Sequence, residues 1–407
     1  MAQGEAPGAA AQATPQHTRF LVLYGLAWAG GAIAYVPFLT LLLPARVSEL
    51  TGENAVEWLS YIAFVGAIAA SIANLGFGWI SDVARSRRSL IFSGLVLSSL
   101  ALVTAAEVDR LGPLLVHIAL WQFGLNMMLS PLAAMAGDYV PDRQKGMLGG
   151  LMSFAPAIGG LSGALVTLPL LALERETQLI VVAVMVALCV LPALLFGRPI
   201  AMPELVEDVS PPLSNTERLA RKSRNAVLRM WIARLLVQIA EAALFAFLLL
   251  WLRSLDSAIG ESETARLFSM VVLIAIPVAM TLGRWADLHD KPILPLAGAA
   301  LVSAVGLAAM AFSNTLTGGI TGYVIFGVAG AVFLALHSAQ TLRVLPRART
   351  RGRDLGFFNL TNTVPSLIMP WLTLSLVPVF GFAGLFALLA VMSAMASILL
   401  FSVSKSK

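Results

Sequence analysis

Two stretches decide how this chain is organised: Gly76-Phe77-Gly78-Trp79-Ile80-Ser81-Asp82-Val83-Ala84-Arg85-Ser86-Arg87-Arg88 and Gly283-Arg284-Trp285-Ala286-Asp287-Leu288-His289-Asp290-Lys291. In each, a glycine stands four residues before an aspartate, the aspartate closes an apolar run, and basic residues follow. Gly78 and Asp82 lie 205 positions before Gly283 and Asp287. The same offset relates Pro141 to Pro346, each of which opens a later loop. Two loops repeated at one interval predict two halves of the same design. Duplicated halves with a cavity between them are a common plan for membrane carriers.

Composition agrees. Of 407 residues, 58% are apolar and only 12% charged, about half the charge of an ordinary soluble protein. That balance excludes a cytosolic enzyme and a disordered chain. A net charge of +5, with the basic residues confined to short loops, excludes a nucleic-acid partner. The 33 glycines and 21 prolines sit inside apolar runs, as they do when helices are surrounded by lipid. The lone cysteine, Cys189, allows no intrachain disulfide.

Apolar runs long enough to cross a bilayer recur at 20–44, 58–80, 89–106, 111–137, 147–172, 178–197, 229–252, 265–286, 292–312, 318–345, 356–378 and 381–402. The divisions at 313–318 and 378–381 are short and uncharged. The longest break, 198–228, has six runs on either side and carries Pro211-Pro212 at its centre. The predicted organisation is a tail at 1–18 that reads as disordered, an N-terminal six-helix half at 19–197, a linker at 198–228, a C-terminal half at 229–402 and a tail at 403–407. Placing both termini in the cytoplasm puts 21 of the 27 Lys and Arg on that side and five outside, with Arg234 inside a span. The fold class is therefore an all-α membrane protein of twelve transmembrane helices in two six-helix halves, lying in the inner membrane of the cell.

The paired glycine–aspartate motifs resemble the signature of the major facilitator superfamily, a glycine and an aspartate followed by a basic cluster between spans two and three. Gly78, Asp82, Arg85, Arg87 and Arg88 match it, and Gly283 and Asp287 repeat it with the basic cluster reduced to His289 and Lys291. The resemblance covers about residues 20 to 402 and implies the major facilitator fold. It also implies a gating role for Gly78, Asp82, Arg85, Arg88, Gly283 and Asp287, with the arginines pairing across the interface between halves. Within the superfamily, Arg353 to Pro365 and Asp138 to Gly146 are similar to sucrose and glycoside carriers. No carboxylate lies within the first six spans, unlike sodium-coupled melibiose-type relatives.

Ionisable groups at membrane depth are costly and face a cavity or a partner. Arg234 and Glu241 are the deep pair, two turns apart on one face of span seven, with Gln238 placed to bridge them. Glu241 is expected to couple protons and Arg234 to gate or balance charge. The alternatives are a snorkelling Arg234 and a protonated, packed Glu241. His337, with Gln340 three residues on, is a second proton-coupling candidate. Gln122 and Asn126 lie one turn apart in span four, and Asn359 and Asn362 are co-facial in span eleven. Amides both donate and accept, which suits sugar hydroxyls, although they also join helices. Trp28 and Tyr35 share a stripe that offers an aromatic platform or ordinary packing. The predicted substrate-binding set is Trp28, Tyr35, Gln122, Asn126, Gln238, Gln340, Asn359 and Asn362.

No Cys/His cluster has metal-ligand spacing and no nucleotide-binding loop is present, so neither metal nor cofactor is expected and a gradient must drive transport. The reading is a monomeric secondary transporter, not an enzyme, moving a small polyhydroxylated, sugar-like solute by alternating access with proton coupling. The alternatives are a proton antiporter exporting amphipathic molecules and a non-transporting factor that binds a pigment or lipid.

Overall fold

A computed structural model describes residues 15–84, 86–202, 217–289, 291–344 and 351–404 of the chain, and every regular element among them is helical. Helix α1 (Thr18–Pro37) passes into a π-helical turn (Phe38–Leu42) and then α2 (Leu43–Thr51). Pro37 has no N–H for the carbonyl four residues before it, and the wider turn begins directly after it. There the Leu43 N–H reaches Phe38 O, and Thr40 Oγ1 donates to Val36 O at 2.7 Å. Gly52, at φ 55°, turns the chain through Gly52–Asn54 into α3 (Ala55–Ala84).

The helices that follow are α4 (Arg87–Thr104), α5 (Leu111–Tyr139), α6 (Asp142–Ser153), α7 (Ala155–Val166) and α8 (Arg175–Phe196). After the linker come α9 (Glu217–Leu255), α10 (Glu261–Leu288), α11 (Leu294–Phe312), α12 (Leu316–Val344) and α13 (Arg351–Ser404). Nine helical stretches among the described residues are long and apolar enough to cross a membrane. The chain is an all-α, multi-pass membrane protein. Two of the nine are compound: Thr18–Ala84 is divided at Gly52, and α13 breaks at Gly381, where φ is 65°. The break at Gly381 falls where the expected division at 378–381 lies. The apolar run at 147–172 is divided between the end of α6 and the short apolar helix α7 of 12 residues.

Two features lie at the expected boundaries. Helix α9 starts at Glu217, within the stretch read as linker, and runs unbroken into the membrane. Gln16, within the stretch read as tail, is buried and tied at both its backbone and its side chain. Its N–H donates to Gln144 Oε1 at 2.7 Å while Gln144 Nε2 donates to its carbonyl at 3.0 Å. Its amide exchanges a second pair of bonds with the backbone of Ile200.

Packing divides the helices into two groups. In the first, α1 lies against α7 and α8, and α5 against α3 and α4. In the second, α13 lies against α9 and α11, and α12 against α10 and α11. The groups meet through α3 with α13, α7 with α10, and α9 with α2 and the π turn. Large apolar side chains such as Leu75, Trp79, Leu188 and Ile398 point outward, where lipid replaces water.

Lipid removes the hydrophobic drive between helices, so close packing has to hold them. Two crossings show how. A Cβ on Gly124 of α5 would lie 2.8 Å from Ser98 N of α4, and one on Gly94 of α4 would strike α5 backbone in return. In the second group, a Cβ on Gly322 of α12 would lie 2.9 Å from Gly306 O of α11, again reciprocally. Because the neighbours are backbone atoms, no rotamer change relieves the clash. Gly94→Ala and Gly306→Ala are each expected to cost about 1–3 kcal/mol and to lower the Tm of purified protein. Gly112→Ala, with nothing within 4 Å of its Cβ, should leave the Tm unchanged.

Candidate functional site

The ends of the helices differ in chemistry. The end bearing Ala84, Arg87 and Tyr139 carries most of the arginines and is termed the basic end; Gly52 and Asp256 mark the opposite end. Described contacts between the two groups concentrate toward the opposite end. Tyr35 of α1 meets Phe245 of α9 at 6.0 Å, and Phe64 of α3 meets Trp371 of α13 at 5.5 Å. Gly160 of α7 lies against Phe268 of α10, where a Cβ would be 2.9 Å from the ring. Ion pairs at that end stay within a group: Arg46 with Asp109, Arg175 with Glu49, and Arg253 with Glu261. The seam there is aromatic.

Level with that seam, and reaching past it toward the opposite end, lies a cavity of about 200 Å³ between the groups. Its walls are Leu39 and Leu43 beside the π turn, Leu59, Ile62 and Gly66 of α3, Gln122 of α5, Phe245 of α9, and Ser366 and Met369 of α13. Ile118 of α5 and alanines complete it. A dry cavity of about 150 Å³ holds a benzene-sized ligand, so this space admits a small solute. Its surface is apolar except for Gln122 and Ser366.

The expected binding residues separate around this cavity. Gln122 lines it; Asn126 stands a turn behind, donating from Nδ2 to Gln122 O at 2.9 Å and to Gln122 Oε1 at 3.3 Å. Asn74 of α3 donates to Asn126 Oδ1 at 3.3 Å, and Ser130 Oγ donates to Asn74 O at 2.9 Å. Asn74 was not among the expected site residues, because a lone amide 52 positions away gives no sequence signal. Trp28 stacks on Tyr24 at 6.4 Å and 10°, while the Tyr24 hydroxyl donates to Leu132 O. Trp28 and Tyr35 pack with Ala29, Ala32, Val36 and Ala155 outside the cavity wall. The side chains of Gln340, Asn359 and Asn362 lie outside the described residues.

Span seven is split in its chemistry. Gln238 is occupied by Arg234, whose Nε donates to its Oε1 at 3.2 Å, so it does not bridge to Glu241 as its position suggested. Arg234 Nη1 also approaches His337 Nδ1 at 3.5 Å. The other ring nitrogen of His337, Nε2, lies 3.0 Å from Met230 O. A backbone carbonyl only accepts, so Nε2 carries the hydrogen and Nδ1 offers its lone pair to Arg234. Glu241 turns toward α12. Its carboxyl carbon lies 3.0 Å from where a Cβ on Gly330 would stand, and its Oε1 would collide with that atom. The glycine is what leaves room for the carboxyl group. Oε1 is buried without a hydrogen-bond partner among the described residues.

At the basic end, the motif residues form a strap. Arg87 binds Asp138 through Nε, donates from Nη2 to Asp82 Oδ1 at 2.8 Å and from Nη1 to Ser81 Oγ at 2.7 Å. Arg88 donates to Gly197 O. These pairs join α3, α4, α5 and the end of α8, all within the first group, whereas the family resemblance implied arginines reaching across the interface between halves. Arg87, not Arg88, joins the two aspartates, and the sequence could not select it because Asp138 lies 51 positions away. Gly78 faces Ser130, and Gly283 faces Leu336. Arg85 and the side chain of Asp287 lie outside the described residues. Among the described residues, no group of three metal-ligating side chains occurs.

A multi-pass helical protein whose two helix groups enclose a solute-sized cavity has the form of a membrane carrier. A family model described as Major Facilitator Superfamily matches residues 20–331 and 230–407. The chain belongs to this superfamily, and is thus a non-enzymatic secondary transporter built for alternating access. No curated protein matches it. Among solved structures it is similar in fold to a bacterial homolog to human lysosomal transporter, Spinster, in an inward-facing and unoccupied conformation. The TM-score is 0.69 at 14% identity, over 95% of this chain and 96% of that one.

Proposed function

We propose that the chain is a proton-coupled antiporter of small, mainly apolar amphipathic molecules. In this reading twelve spans form two six-helix halves in the inner membrane, with the basic end and both termini in the cytoplasm. The lining of the cavity carries the reading. A sugar buries many hydroxyls, and each one left without a partner in an apolar site costs about 1–3 kcal/mol. Here Gln122 and Ser366 are the polar side chains on offer, against walls of Leu, Ile, Ala, Phe and Met. The polyhydroxylated solute expected from the amides and the glycoside-carrier likeness therefore gives way to the amphipathic one. The cavity volume favours a transported solute over a non-transporting factor.

Glu241 is the proton carrier in this scheme. A carboxylate oxygen without a partner at membrane depth is a costly place for a charge, and taking up a proton removes it. His337 serves to hold Arg234, and this pair keeps α9 against α12 through the conformational change. Vesicles containing the purified monomer, with an imposed pH gradient, test the reading. A fluorescent amphipathic dye should accumulate against its gradient while a labelled disaccharide should not. Disaccharide accumulation without dye movement would overturn it.

A further inference from the structure

We infer that Gln122 presents the cavity with a fixed hydrogen-bond donor, so that the site favours solutes bearing an acceptor oxygen on an apolar frame. The inference rests on reading this cavity as the transport site. It follows from the direction of the amide chain. The backbone carbonyl of Gln122 only accepts, so the Asn126 group 2.9 Å from it must be the NH2. That fixes Asn126 Oδ1 as the atom facing Asn74, which must then donate to it, as it does at 3.3 Å. The second hydrogen of Asn126 Nδ2 points to the Gln122 side chain at 3.3 Å, so the Gln122 atom there is Oε1. Each amide carbonyl in the row is occupied by the NH2 behind it.

What remains at the front is Gln122 Nε2. It lies 3.7 Å from where a Cβ on Gly66 would stand, at a point where both residues form the cavity wall. No described residue accepts from it. A single amide ordinarily turns over to suit either a donor or an acceptor. This one cannot, because turning it would place Nε2 against the Asn126 NH2, donor to donor. Ser366, the other polar side chain in the wall, has a hydroxyl that rotates freely and imposes no choice. Selection therefore rests with Gln122. The chemistry it recognises is a ketone, ester, ether or carboxylate oxygen. A solute N–H meets no such directed partner, only the Ser366 hydroxyl and the remaining lone pair of Gln122 Oε1.

Three neutral bicyclic probes of one size separate the possibilities: 1-indanone carries an acceptor, indole an N–H donor, and indene neither. Their dissociation constants are measured by calorimetry on the full chain in lipid nanodiscs. The wild type should bind indanone about fivefold or more tightly than indole, the worth of one neutral hydrogen bond. Gln122→Leu should remove that preference while keeping indene binding, which reports that the cavity is intact. Asn126→Leu is the sharper variant. It leaves Gln122 in place but frees Oε1, so the amide can turn over, and indole should gain until the preference narrows to about twofold or less. Equal binding of indole and indanone by the wild type would overturn the donor assignment while leaving the apolar cavity standing. So would an unchanged preference in Gln122→Leu. Failure of all three probes to bind would overturn the cavity reading and the donor assignment with it.

Discussion

Glu241→Gln is expected to abolish accumulation driven by a pH gradient while leaving exchange of solute down its own gradient. Glutamine has almost the shape of protonated glutamic acid, so it should seat in the space that Gly330 leaves on α12. It cannot release or take up a proton in the working range. For one proton exchanged per uncharged solute, a gradient of about two pH units sustains about 100-fold accumulation, because each unit is worth 1.36 kcal/mol. The variant should fall to a ratio of about one. Gly330→Ala attacks the same point from the other helix, since its methyl group would occupy the position of Glu241 Oε1. It should reduce accumulation with the carboxyl group still present. Flux assays in vesicles of defined internal pH measure both, and wild-type accumulation by Glu241→Gln would remove the carboxyl group from the coupling step.

Arg87→Ala should produce the largest structural effect among the charged residues. Arg87 holds two aspartates, but the two pairs differ in environment. The side chains of Arg87 and Asp138 are 16% and 26% exposed, whereas Asp82 is 66% exposed. Solvent screens the second pair to a fraction of a kcal/mol. The first is largely withdrawn from water, and removing its cation leaves Asp138 a poorly solvated charge, at a cost of about 1–3 kcal/mol after allowing for the remaining exposure. A pair of double-mutant cycles separates the two. Coupling between Arg87→Ala and Asp138→Ala should exceed about 1 kcal/mol, and coupling between Arg87→Ala and Asp82→Ala should stay below about 0.5 kcal/mol. Hydrogen exchange should rise in the turn between α3 and α4 and at the end of α5. Stronger coupling of Arg87 to Asp82 than to Asp138 would mean that the exposed pair, not the shielded one, holds the strap.

The two variants also show which parts of the site were legible in the sequence. Glu241 and Arg234 stand out because charge is rare in an apolar run, and rarity is a one-dimensional property. Gln122 and Asn126 stand out because amides one turn apart share a face. What such spacing does not contain is the partner. Asn74 reaches Asn126 from another helix, and its bond fixes the direction of the whole amide row. Asp138 reaches Arg87 in the same way. Gln238 illustrates the reverse: it lies between Arg234 and Glu241 on the helix, yet the turn of Glu241 toward Gly330 leaves it with Arg234 alone.

From the sequence alone came the membrane class, the helical fold, the paired motifs and the superfamily, since each depends on local composition or a fixed interval along the chain. Lipid forces the backbone to satisfy its own hydrogen bonds, so a long apolar run admits little besides a helix. The polarity of the cavity was decided only in three dimensions. Its wall draws residues from α2, α3, α5, α9 and α13, and whether an amide on one of them faces the solute or a neighbouring helix depends on how those helices are rotated about their axes. That rotation is set by contacts between residues far apart in the chain, such as Gly94 with α5 and Glu241 with Gly330. Packing of this kind turned Trp28, Tyr35, Asn126 and Gln238 toward protein and left Gln122 at the wall of an apolar space.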